Sequence, residues 1–392
     1  ASNISFPLRK AFQKDANVHI RMAFVKSIDT VNKKVIADVD DFSYDVLIIS
    51  TGASTNYFGN QELIENTYPM KSTVEALQIK YRLLQNIEDT IYTKDEATLE
   101  SLLTIVIVGG GPTGVEMSGA IADMRRFVLP KDYPEIDFKN KMKIYLLEGG
   151  PKLLGPMSEK SSSQSFQYLQ KLGVEVWLNT VVKDFDGKVV TTTTGKTINS
   201  SLVVWAAGVI GNVPGDVDKD LIVRGNRIKV DRYNKVIGSE NVYAIGDVAY
   251  METEKYPHGH PQVASVPIAQ AKVLAKNLKK IYSGQKNLEQ FEYHDKGSMA
   301  TVGRNLAVVD IPKPHLHFGG FFAWMIWMGL HLLLLLGVKN RLAVFGNWIY
   351  NYITYDNNFR LILRAYNRPK KSQSPAKNEL NELSLESAHH EV

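Results

Sequence analysis

The chain has 392 residues, 44% of them hydrophobic and 22% charged, enough to bury large cores in two or more domains. Its formal net charge of +5 is too mild to point to nucleic acid, and it contains no cysteine. A disulfide framework, a thiolate metal site and redox chemistry at a cysteine pair are therefore excluded.

The chain opens at Ala1-Ser2-Asn3-Ile4 without the apolar run of a signal peptide. Alternation predicts strands over 18–28, 33–39 and 46–50, the last entering a tight turn at Thr51-Gly52-Ala53. Residues 72–90 read as a helix. Thr104-Ile105-Val106-Ile107-Val108 is a short apolar run rich in β-branched residues, as a central parallel strand requires.

The strongest local signal follows directly. Gly109, Gly111 and Gly114 form a G-x-G-x-x-G between that strand and a helical pattern, the context that marks a dinucleotide-binding turn. Gly109 permits the turn, Gly111 lets a pyrophosphate approach the backbone, and Gly114 allows helix and strand to pack closely. The free N–H groups and positive dipole end of the helix then face the phosphates. Glu116, in the first helical turn, has two readings: a dipole partner, or a proton-handling group near the nicotinamide.

A second strand, 143–147, ends at Glu148, the expected acid for the adenosine ribose hydroxyls. Its carboxylate would repel a 2′-phosphate, which favours NADH over NADPH. The spacing exceeds the usual ~20 residues because 130–140 reads as an insertion.

Further along, 159–172 reads as a helix and 174–178 as a strand. Short strands fill 181–205, with a hairpin at Thr191 to Gly195. The apolar runs at 202–205 and 242–245 both stop at small residues, and 266–282 reads as a long helix. Strand and helix alternate, predicting α/β architecture with parallel sheets. The histidines at 258, 260, 294, 315, 317 and 331 form no recognisable metal-ligand pattern, so no metal site is expected.

Residues 318–338 contain no Asp, Glu, Lys or Arg. Hydropathy alone suggests a membrane span. Gly319, Gly320 and Gly329 interrupt the segment, and Trp324 and Trp327 suit an interface. Residues 341–364 add Phe345, Trp348, Tyr350, Tyr352 and Tyr355, with Lys339, Arg341, Arg360 and Arg364 available to anionic headgroups. Two helices lying in one leaflet account for both segments. The polar tail from 366 is expected to be mobile.

Tyr243-Ala244-Ile245-Gly246-Asp247 resembles the flavoprotein motif whose Asp binds the ribityl chain or pyrophosphate of a flavin. Ser50-Thr51-Gly52-Ala53 and Trp205-Ala206-Ala207-Gly208 resemble the paired crossings of flavoproteins with two dinucleotide-binding domains. With Asp295 to Arg304 and Asn347-Trp348 to Tyr355-Asp356, residues 1–365 resemble a type II NADH:quinone oxidoreductase.

The resemblance implies FAD and NADH as cofactors and a membrane quinone as acceptor, without proton pumping. It implies a monotopic membrane attachment; the basic, apolar module, with lipid contact through 318–364, suits the cytoplasmic face of a prokaryotic plasma membrane, an organelle membrane being the alternative, and a homodimer is compatible. Thr51, Gly52, Gly246 and Asp247 would serve the flavin, and Ala207 and Gly208 would leave room for the nicotinamide. Lys296 would place a positive charge near the reduced flavin, and Gln270 would hydrogen-bond the quinone carbonyl.

The implied domains are an FAD-type domain (1–101 and 232–317), an NADH domain (102–231), membrane helices (318–365) and the tail (366–392). That family's FAD domain opens with its own fingerprint. None precedes Gly109 here, so further residues are expected upstream. Where the family carries Ala-Gln-x-Ala-x-Gln, this chain has Ser265 and Ala269 at the glutamine positions, with Gln262 and Gln270 nearby. The competing readings are a soluble NADH-dependent ferredoxin-type reductase and a non-catalytic NADH-binding membrane protein.

Overall fold

The structure, a computed structural model, describes residues 6–354 and Ile362. The expected roles of Tyr355, Asp356, Arg360, Arg364 and the tail lie outside these residues. In chain order, the strands that frame the site are β1 (Leu47–Ile49), β2 (Tyr68–Pro69), β3 (Thr104–Val108), β4 (Lys143–Leu147) and β5 (Glu175–Trp177). They continue with β6 (Leu202–Trp205), β7 (Val242–Ala244), β8 (Ser298–Gly303), β9 (Leu306–Ile311) and β10 (Leu316–Gly319). The framing helices are α1 (Thr73–Tyr92), α2 (Pro112–Asp123), α3 (Glu159–Lys171), α4 (Ser265–Tyr282), α5 (Gly320–Leu334) and α6 (Val338–Thr354).

Five parallel strands form one sheet in the order β2-β6-β3-β4-β5. All five residues of β3 are buried, as expected of a strand covered on both faces. Its side chains divide with the pleat. Ile105 and Ile107 join one core with Val115, Leu146 and Val204, while Val106 and Val108 join a second with Leu147, Val203 and Trp205. Truncating Ile107 to Ala would cost about 2–5 kcal/mol. On one flank α1 starts at a capping box in which Ser72 and Glu75 each accept from the other's backbone N–H.

A second parallel pair, β1 with β7, carries the other crossings, with Ile49 opposite Ala244. The chain passes between the two sheets through an antiparallel ribbon, Ala53–Thr55 against Val209–Gly211. The first expected strand is shorter than its alternation suggests. Only Val25–Asp29 finds a partner, in Lys34–Ala37, and the Phe24 N–H donates instead to the Asp38 carboxylate at 2.8 Å.

The segment 318–338 is not one continuous helix. Phe318 pairs with Val309 in an antiparallel sheet of β8, β9 and β10, and α5 starts only at Gly320. At 1.5 Å per residue the 15 residues of α5 span about 22 Å, short of a ~30 Å hydrocarbon core. Among the described residues no helix is long and apolar enough to cross a membrane. The expected boundary at 317 falls inside β10. Because β8 packs along α2 and β9 along α5, a boundary near 295 fits the packing better.

Candidate functional site

Strands β6, β3, β4 and β5 end in register at Trp205, Val108, Leu147 and Trp177. Ligands bind outside the carboxyl ends of such sheets, and a cavity of about 580 Å3 opens there, lined in part by Gly109, Gly111, Glu148, Ala207 and Gly208. Gly109 has φ +109°, and a Cβ there would stand 2.8 Å from the Ala206 carbonyl. A Cβ on Gly114 would overlap the Gly109 carbonyl oxygen, so α2 sits directly on the turn. At Gly111 the space is open, leaving the amino end of α2 accessible.

Glu148 is fixed at both oxygens. Oε2 accepts from the Gly110 N–H at 2.5 Å, and Oε1 from the Gly150 N–H at 2.6 Å. An ionised carboxylate has about four acceptor positions, so each oxygen keeps one for a ribose hydroxyl. The Trp205 indole donates to the carbonyls of Asn56 and Ala207 and stacks on Tyr57, which holds the Ala207–Gly208 edge in place.

The residues expected at a flavin meet on the neighbouring sheet edge. The Ile245 N–H donates to Ile49 O, so Thr51-Gly52 and Gly246-Asp247 leave adjacent strands side by side. Asn212 ties the first crossing down: its N–H donates to Gly52 O, its amide donates to Thr51 O, and its carbonyl accepts from Thr51 Oγ1. Asp247 forms an ion pair with Lys71 at 3.1 Å. These residues fit the ribityl side of FAD. The one glycine turn of dinucleotide type among the described residues is that of Gly109, so the fit to FAD is partial.

Gln270 is buried, and its Oε1 accepts from the Gly246 N–H at 2.7 Å. Gln262 donates to Asp247 O at 3.0 Å. Both glutamines thus brace the Gly-Asp turn, and Ser265 hydrogen-bonds Tyr293 instead. Lys296 is exposed on the turn before β8 and does not line the cavity at the glycine turn.

Glu116 departs most from expectation. It points away from the glycine-turn cavity and into another of about 400 Å3, lined also by Asp123, Thr301, Arg304, Trp327 and Asn351. The sides of the α2 helix explain this: Gly114, Val115 and Ser118 are buried toward the sheet, leaving Glu116 facing the C-terminal unit. Burial pushes its carboxyl up, opposed by a hydrogen bond from the Thr301 N–H to Oε1 at 3.2 Å. Burial also raises Asp123, two turns on, against the Arg304 N–H at 2.7 Å.

Arg304 lies over the Tyr352 ring at 4.1 Å and donates to the Tyr352 carbonyl. Trp324, Met328, Trp348 and Tyr352 are shared with an apolar groove of about 340 Å3 between α5 and α6. Sequence reasoning missed Asp123 and Arg304; the helical stripe Glu116, Gly119, Ala120, Asp123 was the available signal for the first. Among the described residues no group of three or more His, Asp or Glu could hold a metal ion.

Residues 3–272 match the family model described as pyridine nucleotide-disulphide oxidoreductase, and 295–354 match the NDH2 C-terminal domain. The chain is 34% identical over 365 residues to the type II NADH:quinone oxidoreductase Ndh of Mycobacterium tuberculosis, covering 90% of this chain and 77% of that protein. It is 27% identical to the external NADH-ubiquinone oxidoreductase 2 of Saccharomyces cerevisiae mitochondria, over 87% of this chain and 70% of that one. Among solved structures, NDH2 from Plasmodium falciparum in complex with NADH superposes with a TM-score of 0.78 at 22% identity, covering 91% and 88% of the two chains. A ferredoxin reductase from Rhodopseudomonas palustris shares the fold at a TM-score of 0.57 and 18% identity, over 78% and 68%.

Proposed function

The chain belongs to the type II NADH:quinone oxidoreductase family, and from that premise we propose how its own residues carry NADH oxidation and quinone reduction at a membrane surface. When bound, FAD accepts a hydride from NADH and supplies two electrons to a quinone, with no proton pumping.

NADH would be held across the carboxyl ends of β3, β4 and β6, with Gly111 facing its pyrophosphate and Glu148 its adenosine ribose. The anchored Glu148 carboxylate selects NADH, because a 2′-phosphate would meet a fixed negative charge. Ala207 and Gly208 leave room for the nicotinamide, and Thr51, Gly52, Gly246 and Asp247 hold the flavin's ribityl side. Gln270 acts by positioning Gly246. Lys296, on its exposed turn, has only its charge to offer the flavin.

The quinone enters the groove between α5 and α6 and reaches the cavity that holds Glu116. Its reduction to quinol takes up two protons. Glu116 suits the delivery of one of them: burial favours its protonated form, against hydrogen bonds from the Thr301 N–H to Oε1 and from the Thr301 and Trp327 side chains. The helix pair α5–α6 places the protein peripherally on a bilayer, and we assign it to the cytoplasmic leaflet of a prokaryotic plasma membrane.

The observation that carries this reading is the row of residues shared by the lipid-side groove and the Glu116 cavity. A soluble ferredoxin-type reductase has no use for such a groove. The test is the visible spectrum of the detergent-solubilised protein under anaerobic conditions. Added NADH should bleach a flavin band and a short-chain quinone should restore it. Bleaching without recovery would move the acceptor elsewhere, and an absent flavin band would leave only NADH binding.

A further inference from the structure

The α5–α6 turn is not the only apolar surface at that end of the molecule. The Phe6 ring lies against Gly337 in the turn, 3.7 Å from where a Cβ would project. Beyond it a short helix, Leu8–Ala11, leaves Leu8 64% and Phe12 43% exposed. The end of α5, the turn and the start of α6 expose Leu333 at 66%, Leu336 at 64% and Val338 at 69%. Water-facing side chains of this size, gathered from two distant parts of the chain, mark an interaction surface.

The charge around this surface is predominantly positive. Arg9, Lys10 and Lys14 are exposed beside Leu8 and Phe12, and Asp15 is the single acid in 6–20. Lys10 Nζ stands 5.8 Å from the Phe6 ring centroid, ammonium beside aromatic, and Lys339 and Arg341 open α6 on the other side of the turn. Apolar side chains bordered by cations are the pattern of a segment lying in the headgroup layer of an anionic bilayer.

We propose that residues 6–14 form a further membrane-contacting element, in which Leu8 and Phe12 enter the lipid beside the α5–α6 turn and Arg9, Lys10 and Lys14 meet anionic headgroups. The proposal rests on the reading of α5–α6 as membrane helices and extends that face to the other end of the sequence. The occupant is lipid because the surface continues the face already turned to the bilayer, and its charge complements anionic headgroups.

The absence of cysteine allows single-site labelling of the full chain. Leu8→Cys, Leu333→Cys and Thr194→Cys, the last on an exposed hairpin, would each carry an environment-sensitive fluorophore. Each variant would be mixed with phosphatidylcholine–phosphatidylglycerol vesicles that contain a nitroxide-labelled lipid. The expected result is quenching at positions 8 and 333 and none at 194. Replacing Arg9 and Lys10 by Gln should weaken vesicle affinity about fivefold per charge removed.

Quenching at 333 without quenching at 8 overturns this proposal and leaves the helix-pair reading standing. No quenching at either position sinks both. A blue shift at position 8 that grows with protein concentration before vesicles are added assigns the surface to a second copy and also overturns it. Unchanged affinity in the Gln variant removes the headgroup contact.

Discussion

Asp310 and His317 face each other across the β9–β10 pair, with Oδ1 2.9 Å from Nδ1. The same carboxylate accepts from the Ser158 N–H and from the hydroxyls of Ser158 and Ser161, at the amino end of α3. His317 reaches Gln164 of α3 through Nε2 at 2.9 Å. One carboxylate therefore fastens the sheet that leads into α5 to the amino end of α3.

Burial pushes the Asp310 carboxyl up, but the hydrogen bonds from His317, Ser158 and Ser161 outweigh it and hold the group below its ordinary 3.8. A depressed folded value contributes stability that is present above the unfolded value and lost as pH falls through the folded one. Asp310→Asn should cost about 1–3 kcal/mol at neutral pH. That difference should shrink as pH falls below 3.8, as urea unfolding across a pH series would record.

Glu148→Gln keeps the shape of the side chain and removes the charge opposed to a 2′-phosphate. The ratio of kcat/KM for NADPH to that for NADH should rise about tenfold, equivalent to ~1.4 kcal/mol. Steady-state kinetics with both nucleotides decide it, and an unchanged ratio would remove Glu148 from nucleotide selection.

Glu116→Gln should slow quinone reduction on the order of a hundredfold, the low end for a general acid. Ferricyanide, which takes electrons without protons, should be reduced at the parent rate. Burial raises the Glu116 carboxyl above 4.5, so its ionised form opposes folding at neutral pH and this penalty vanishes as pH falls. The Gln variant should thus be at least as stable at pH 7, with the advantage lost in acid.

Gln270→Leu leaves the buried Gly246 N–H without its acceptor and should cost about 1–3 kcal/mol. Flavin should be lost faster on gel filtration, while the quinone KM of the flavin-loaded fraction stays the same. A raised quinone KM with normal flavin retention would return Gln270 to direct quinone contact.

The geometry of the glycine turn was legible because its determinants are local. The β3 run, the glycine spacing and Glu148 at the end of the next strand lie within one βαβ stretch, and each reports its own backbone geometry. The second cavity was not legible. Glu116 and Asp123 belong to α2, Thr301 to β8 and Arg304 to the turn after it, and Tyr352 to α6, and nothing in a local window brings these parts together. The direction of Glu116 was open to a helical-wheel argument, since the buried residues of α2 fix which side remains. The Asp310–His317 pairing depends on the register of a hairpin that turns through Pro312 and Pro314, which alternation does not determine.

The partition between the α5–α6 groove and the Glu116 cavity is one layer of side chains thick: Trp324, Met328, Trp348 and Tyr352 face both. A molecule seated in the groove would therefore reach the carboxylate once a few side chains swing aside. Side-chain reorientation is intrinsically far faster than the microsecond-to-millisecond hinge motions that open interdomain clefts. On the proposed reading, the packing of those four side chains, more than the opening of a cleft, would gate the entry of each new acceptor. Arg304 anchors one member of that layer, lying over the Tyr352 ring and donating to the Tyr352 carbonyl.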